Sequence, residues 1–500
     1  MADSTHDTNT GSSEELKGTI RSPICVVAGH VDHGKSSILD SIRGTSIVAG
    51  EPGAITQSIG ASLIPVDRIK KLCWSLINQF NFKMNIPGIL FIDTPGHAAF
   101  TNLRKRGGSI ADIAILVVDL NEGFKPQTIE ALEILKSSRT PFVVAANKLD
   151  LLPGWRSMDG MLLANVSRQP ESIQYELDKK IYELVGRLSE FGFNSERFDR
   201  VTDHTKQVLI VPCSAKTGEG IPELLLALTG LTQRYLEKAI SCTIDSPGKG
   251  TILEVKEVKG VGTVLDTVLY DGSISVNDSL VVGAIPDPII TKVRAIFEPS
   301  PLNEIRDKKA AFRSVKRSFA ASAIRIVAPE LDSAIGGMPV RAIPSALAET
   351  PDFERVVADV VSQVRSEIEE VLIETDKEGI IVKADSIGSL EAAVHILRDK
   401  GFKIKKAGIG NISKKDVAEA ASNLGKHPEY AVVVGFSVQM NSDVEAGEVK
   451  VITNDVIYRL VDELDEWQLE LRKKMEEHSV SLIGRPFKIE VLQGYVFRQS

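Results

Sequence analysis

Short apolar runs recur through the first half of the chain. ICVVAG, ILFID, AILVVD, FVVAAN and VLIVPC each end in Gly, Asp, Asn or Cys just before a loop, with helical patterns between them. Runs that stay apolar rather than alternating belong to strands buried on both faces. The pattern over residues 20–235 therefore predicts a parallel-rich α/β sheet with helices on both sides. In such sheets ligands sit at the carboxyl ends of the strands, so the polar residues closing these runs mark where a site belongs.

Beyond residue 236 the pattern changes. TILEVKEVKGVGTVLDTVLYDGSISVNDSLVVG is rich in β-branched residues and punctuated by Gly and Asp-Gly, which predicts an antiparallel β-barrel over 236–345. Residues 352–445 return to alternating α and β, with GIIVKADSIGSLEAAVHILRDK reading strand, loop, helix and AVVVGFSV reading as a buried strand. Over 450–480, Val456, Leu460, Leu464, Trp467, Leu471 and Met475 recur at helical spacing. That stripe fits a helix packed on its own domain or a long connecting helix. Residues 1–19 read as a flexible polar tail. At the other end, Phe487, Ile489 and Val491 alternate with Lys488 and Glu490 as a half-buried strand would.

Five hundred residues exceed one hydrophobic core, in keeping with several domains. The balance of 59 Lys+Arg against 67 Asp+Glu gives a net charge of −8, so any RNA contact must come from local basic patches. Cys25, Cys73, Cys213 and Cys242 are scattered and read as reduced core thiols. No run approaches a membrane span, and the N-terminus lacks the basic head and apolar stretch of a signal peptide. A soluble cytoplasmic protein is expected.

Four boxes carry chemistry. Gly29-His30-Val31-Asp32-His33-Gly34-Lys35-Ser36 fits G-x-x-x-x-G-K-[ST] directly after a strand. Glycines let backbone N–H groups close around phosphate oxygens, Lys35 brings charge to the β/γ-phosphates, and the Ser36 hydroxyl suits Mg²⁺. Ser37 continues this loop into its helix. Asp93-Thr-Pro-Gly96-His97 follows the second run: Asp93 can hold Mg²⁺ through water, and Gly96 can offer its N–H to the γ-phosphate. Asn147-Lys148-Leu149-Asp150 follows the fourth run. One carboxylate accepts guanine's N1–H and N2–H₂ together, Asn147 can bond the guanine major-groove edge, and the Lys148 stem can cover the base. Ser214-Ala215-Lys216 can add a backbone N–H to the guanine oxygen. Thr56, in the GAITQSIGA loop between the first two boxes, has a hydroxyl suited to completing the Mg²⁺ shell.

GHVDHGKSS, GAITQSIGA, FIDTPGHAAFTNLRKRGGSIADIAILVVDLNEGFKPQTIEALE and NKLD together resemble translational GTPases, most closely the archaeal and eukaryotic initiation factor five-B family, counterpart of bacterial initiation factor two. The resemblance runs from about residue 20 to the end. The long segment from Pro153 to Gln207 fits the archaeal and eukaryotic branch, and the short N-terminus leans archaeal. The resemblance implies Thr56 on Mg²⁺ beside Ser36, and His97 in place of the water-orienting Gln of small GTPases. It also implies a monovalent cation, K⁺ or Na⁺, at Asp32 with a carbonyl near Gly53; Asp32 could equally bond loop amides. Ser58 stands where many members carry His. RPFKIEVLQGYVFRQS resembles the opening strands of the family's last β-barrel, so 484–500 reads as a truncated start of it, poorly packed or capping a helix end, with weakened initiator tRNA binding.

The implied function is a monomeric translation initiation GTPase. It would bind GTP/GDP with Mg²⁺, contact rRNA of both ribosomal subunits, promote subunit joining and initiator tRNA positioning, and hydrolyse GTP on the ribosome. Lys308, Lys309, Arg313, Lys316 and Arg317, and then Lys403, Lys405, Lys406, Lys414 and Lys415, are rRNA candidates or solvated faces. Rival readings are another translational GTPase role, such as elongation or tRNA delivery, and a GTP-regulated ribosome-binding module with negligible hydrolysis. A P-loop ATPase or kinase is disfavoured by Asp150.

Overall fold

The computed structural model describes residues 19–45, 60–93, 104–105, 108–235, 240–242, 246–258, 260–284, 287–305, 311–369, 376, 378–385, 387–441 and 444–482. Gly53, Thr56, Ser58, Gly96, His97, Lys308, Lys309 and the segment 484–500 lie outside the described residues. The chain divides into two compact units, Met1–Leu372 and Ile373–Ser500.

The first unit opens with seven strands: β1 Ile24–Gly29, β2 Gly60–Pro65, β3 Gly88–Asp93, β4 Ile113–Asp119, β5 Phe142–Asn147, β6 Ser195–Arg197 and β7 Val208–Pro212. Their order across the sheet is β2-β3-β1-β4-β5-β7-β6. All neighbours run parallel except β2 and β3. The helices are α1 Lys35–Arg43, α2 Val66–Leu72, α3 Trp74–Phe80, α4 Pro126–Ser137, α5 Leu162–Arg168, α6 Glu171–Glu190 and α7 Ile221–Tyr235.

Because strand side chains alternate faces, the apolar runs split into two cores. Cys25, Val27, Phe91, Ile115, Val117 and Val143 pack with Ile38 and Leu39 of α1 and Leu224 and Leu228 of α7. Val26, Ala28, Ile92, Leu116, Val118 and Val144 pack with Leu132 of α4 and Leu177, Ile181 and Leu184 of α6. This is why the runs are continuous: both registers are buried. Cys25, Cys73 and Cys213 are free and buried, and burial raises the thiol pKa of each.

The antiparallel part comprises β8 Lys249–Val258, β9 Gly262–Asp271, β10 Ser279–Val282, β11 Ile289–Lys292, β12 Ala295–Pro299, β13 Phe312–Val315, β14 Ser322–Val327 and β15 Pro339–Ile343. Their order is β11-β10-β15-β8-β9-β14-β12-β13. Leu253, Val268, Tyr270 and Ile305 join the same core as α4 and α6, so the two sheets share apolar interior. The N–H groups of Ile305 and Leu302 donate to the carbonyls of Ala61 and Leu63, at 3.1 and 3.3 Å, covering the open edge of β2.

Beside this seam, Arg43 at the end of α1 meets Glu304, Nη2 to Oε1 at 3.1 Å, with both side chains 1% exposed. Removing one partner of such a pair strands a buried charge and costs about 3–5 kcal/mol, whereas replacing both with apolar groups is often neutral. Arg43→Met is accordingly expected to lower the urea midpoint markedly, and Arg43→Met with Glu304→Leu to restore most of it. A single variant as stable as the parent would show the pair to be dispensable.

Helix α8, Phe353–Glu369, packs on the antiparallel sheet. Its residues Val356, Val357, Val360, Val361 and Val364 form an apolar stripe against Val281 and Ile343, and Glu367 accepts both its bonds from Arg341 Nη2 at 2.7 Å.

In the second unit, β16 Ile380–Ala384, β17 Ile404–Ile409, β18 Val432–Phe436 and β19 Lys450–Asn454 form a parallel sheet of order β17-β16-β18-β19. The last strand lies in the stretch read as helix. Helices α9 Ile387–Asp399, α10 Lys414–Ala421 and α11 Ile457–Leu482 accompany it. On α11, Ile457, Leu460, Val461 and Leu464 are buried, and Gln468 donates to the Glu429 carbonyl at 2.9 Å, so its opening turns pack on their own sheet. Val456, counted in the apolar stripe, precedes the helix and is 48% exposed; Ile457 takes the buried place.

Candidate nucleotide-binding site

The first, third and fourth boxes lie at the carboxyl ends of β1, β5 and β7, and Asp93 of the second closes β3 beside them. The first runs from the end of β1 through Gly29, His30, Val31, Asp32, His33 and Gly34 into α1, which Lys35, Ser36 and Ser37 begin. Two glycines are required by geometry. A Cβ on Gly29, at φ 139°, would lie 2.2 Å from the Val117 carbonyl oxygen on β4. A Cβ on Gly34, at φ 86°, would lie 2.4 Å from Asn147 Nδ2. The second closeness has a use, because Asn147 Nδ2 donates to the His33 carbonyl at 2.8 Å.

Lys35 Nζ donates to the Gly29 and His30 carbonyls at 3.0 and 2.9 Å, folded back over its own loop. Burial pushes its pKa down to about 8, the opposing fields of Asp93 and Asp32 notwithstanding. An anion in the loop would offset that cost, which is what a phosphate-binding lysine needs. His33 is pushed down to about 4 by burial and then by His30, whose ring meets it edge-on at 5.1 Å, so it is neutral at pH 7. Val31 N–H donates to Gln127 Oε1 at 2.8 Å, tying the loop to α4.

Ser36 Oγ donates to Asp93 Oδ2 at 2.6 Å, with both residues buried. Two hard oxygen donors on adjacent elements fit Mg²⁺, which takes few protein ligands and completes its shell with phosphate and water. Asp32 is exposed at φ 66°, and no hydrogen bond from a loop amide to its carboxylate occurs among the described residues.

At the other end, Asn147 is first a brace. While Nδ2 holds His33, its Oδ1 accepts the Ala215 N–H at 3.0 Å. The Ser214 N–H goes to the Glu219 carbonyl. Of the triad's backbone donors, that of Lys216 therefore remains to meet a guanine oxygen. Ser214 Oγ donates to Asp150 Oδ1 at 2.6 Å, orienting the carboxylate expected to read the base. Lys148, at φ 65°, pairs through Nζ with Asp119 Oδ2 at 2.9 Å, which lays its stem across the site. Asp119 also accepts the N–H groups of Asn121 and Glu122. Sequence reasoning gave Asp119 no role, although it closes the run AILVVD as a site residue should; Gln127 carried no signal.

The basic clusters are partly neutralised. Arg313 pairs with Glu298 at 2.8 Å, Arg317 donates to Ser273 and stacks on Phe319, and Lys406 is held between Asp416 and Glu419 at 3.1 and 2.8 Å.

Residues 20–234 match the family Elongation factor Tu GTP binding domain, and residues 355–465 match Translation-initiation factor 2. The chain is 49% identical to a probable translation initiation factor IF-2 of Ignicoccus hospitalis, over 98% of this chain and 80% of the relative. It is likewise 49% identical to that of Methanopyrus kandleri, over 97% and 81%. This chain belongs to the archaeal IF-2/aIF5B family of translational GTPases. The structure of GDP-bound aIF5B from Aeropyrum pernix superposes with a TM-score of 0.75 at 45% identity, covering 96% of this chain and 80% of that one. The chain is thus a translation initiation GTPase with the aIF5B-like fold, and Mg²⁺ is the metal typical of its GTPase domain. Among its described residues no helix is long and apolar enough to cross a membrane.

Proposed function

We propose that this IF-2/aIF5B-family factor works in the cytoplasm as a monomer, joins ribosomal subunits in a GTP-dependent step, supports initiator tRNA positioning, and hydrolyses GTP on the ribosome to leave it. The observation that carries this reading is the match to translation initiation factors along nearly the whole chain, with the phosphate, metal and base boxes meeting at one sheet end.

In this reading the loop amides from Gly29 to Ser37 enclose the phosphates, and Lys35 leaves its carbonyls for the β/γ oxygens. Ser36, Asp93 through water, and Thr56 would hold Mg²⁺, which would supply positive charge to offset the charge developing on the phosphates. The Gly96 N–H senses the γ-phosphate, and His97 orients the attacking water. Asp150 accepts from guanine N1 and N2, with Asn147, the Lys148 stem, Ser214, Ala215 and Lys216 shaping the base pocket. The ring of His33 stays neutral and packed, and its role is to present its carbonyl to Asn147. A monovalent cation at Asp32, with a carbonyl near Gly53, is carried over from the family resemblance, and the exposed Asp32 carboxylate is the described group that would meet it.

Light scattering on mixing the two ribosomal subunits tests the subunit-joining role. With this factor and GTP, joining is expected to accelerate; with GDP it should not. Equal rates with GTP, GDP and no factor would refute it and favour an elongation or delivery role.

A further inference from the structure

Glu219 lies just past the guanine loop, at the entrance to α7, and is 6% exposed. Its carboxylate faces four donors and no described cation. Oε1 accepts the Met158 N–H at 3.2 Å and Asn165 Nδ2 at 2.9 Å. Oε2 accepts Trp155 Nε1 at 3.3 Å and the Thr217 hydroxyl at 3.2 Å. Three of these donors come from the segment between the last two boxes, and the fourth from the guanine loop itself. A buried carboxylate is tolerated on such terms because each of its four hydrogen-bond partners donates, although the like charge of Glu223 lies nearby.

The chain of bonds continues toward the base. The Thr217 N–H donates to Ser214 Oγ at 3.2 Å, and Ser214 Oγ in turn donates to Asp150 Oδ1 at 2.6 Å, because a carboxylate can only accept. The Ser214 N–H donates to the Glu219 carbonyl at 2.9 Å and closes the loop from behind. Thr217 therefore donates both to Glu219 through its hydroxyl and to Ser214 through its backbone, and Ser214 donates to Asp150, so one residue links the buried acid to the base-reading carboxylate.

We infer that Glu219 is a positioning residue for guanine selection: by anchoring Thr217 against the Trp155–Asn165 segment it places the Thr217 backbone against Ser214 and, through Ser214, orients the Asp150 carboxylate. This rests on Asp150 reading guanine. The neighbouring acid Glu223 supplies a contrast. It accepts the Leu162 N–H at 2.7 Å, and burial raises its pKa, but no described bond joins it to Thr217 or Ser214.

The test compares GDP with inosine diphosphate, which lacks the 2-amino group that Asp150 would accept. Affinities are measured by titration on the whole chain, with the thermal midpoint alongside. Glu219→Gln keeps the shape but places an amide against donors. It is expected to shrink the preference for GDP over inosine diphosphate about 10-fold, the scale of a misoriented buried hydrogen bond. Thr217→Val, at an exposed residue, should move the ratio the same way with little change in midpoint. Glu223→Gln should leave the ratio unchanged. A ratio unchanged in both Glu219→Gln and Thr217→Val, or equal losses for both nucleotides, overturns the inference; should Glu219→Gln fail to fold, Thr217→Val alone decides. Asp150→Asn in the same assay separates the two levels. If it too leaves the ratio intact, the reading of the guanine site fails; if it collapses the ratio while the other two do not, only the role of Glu219 fails.

Discussion

His97→Ala is expected to bind GTP within a few-fold of the parent and to lose most of its ribosome-stimulated turnover. His97 follows Gly96 directly, so a Gly96 N–H drawn to the γ-phosphate carries the imidazole to the phosphate's edge. There it can orient water or place positive charge toward the developing anion. Completion of such a site by a docked partner is worth on the order of 10⁵ in rate, or about 7 kcal/mol. None of the residues placed around the phosphate loop supplies that alone. Lys35 and the Ser36–Asp93 pair bind and neutralise, and His33, the nearest described imidazole, is buried and spends its Nδ1 on the Val117 carbonyl at 3.4 Å. Single-turnover hydrolysis with and without ribosomes reads this out. A variant that binds GTP normally and is stimulated at the parent rate would remove His97 from the mechanism.

Asp150→Asn is expected to lose preference for GTP and gain for xanthosine nucleotides, because an amide nitrogen meets guanine's donors with a donor. Each buried donor left unpaired costs about 1–3 kcal/mol, and guanine offers two at this edge. Ser214 Oγ already donates to Oδ1, so the amide of the variant is pressed to turn its nitrogen toward the base. A competition titration showing unchanged GTP affinity would contradict the assignment.

Much of this site was legible because its boxes are contiguous and sit at the ends of apolar runs. Gly29, Asp93 and Asn147 could be placed on strand ends from pattern alone, with Asp150 three residues beyond, and the sheet order then brings the carboxyl ends of β1, β3, β5 and β7 to one edge. What stayed hidden depends on residues distant in sequence. Nothing local to Asn147 says that it braces His33 and Ala215, since that needs the loops after β1 and β7 to meet at the end of β5. Arg43 and Glu304 look like ordinary surface charges until helix and loop bury them together. The edge strand β2, GASLIP, is short and carries Gly, Ser and Pro, so it gave no clear run; its antiparallel pairing to β3 emerges only from the register Gly60 to Asp93. Helix α8 has an unambiguous valine stripe, but a stripe does not name the sheet it covers. On α11, Leu460 and Leu464 of the apolar stripe are buried as the spacing predicts, while Ile457 rather than Val456 takes the first buried place, because both are apolar and the helix begins only at the second.

The most direct test of the central claim is GTP hydrolysis by this chain alone, with each ribosomal subunit separately, and with both together. Slow turnover alone and with either subunit, rising by several orders of magnitude only when both are present, is the expected result. A rate indifferent to ribosomes, or stimulation as strong with one subunit as with two, would contradict it.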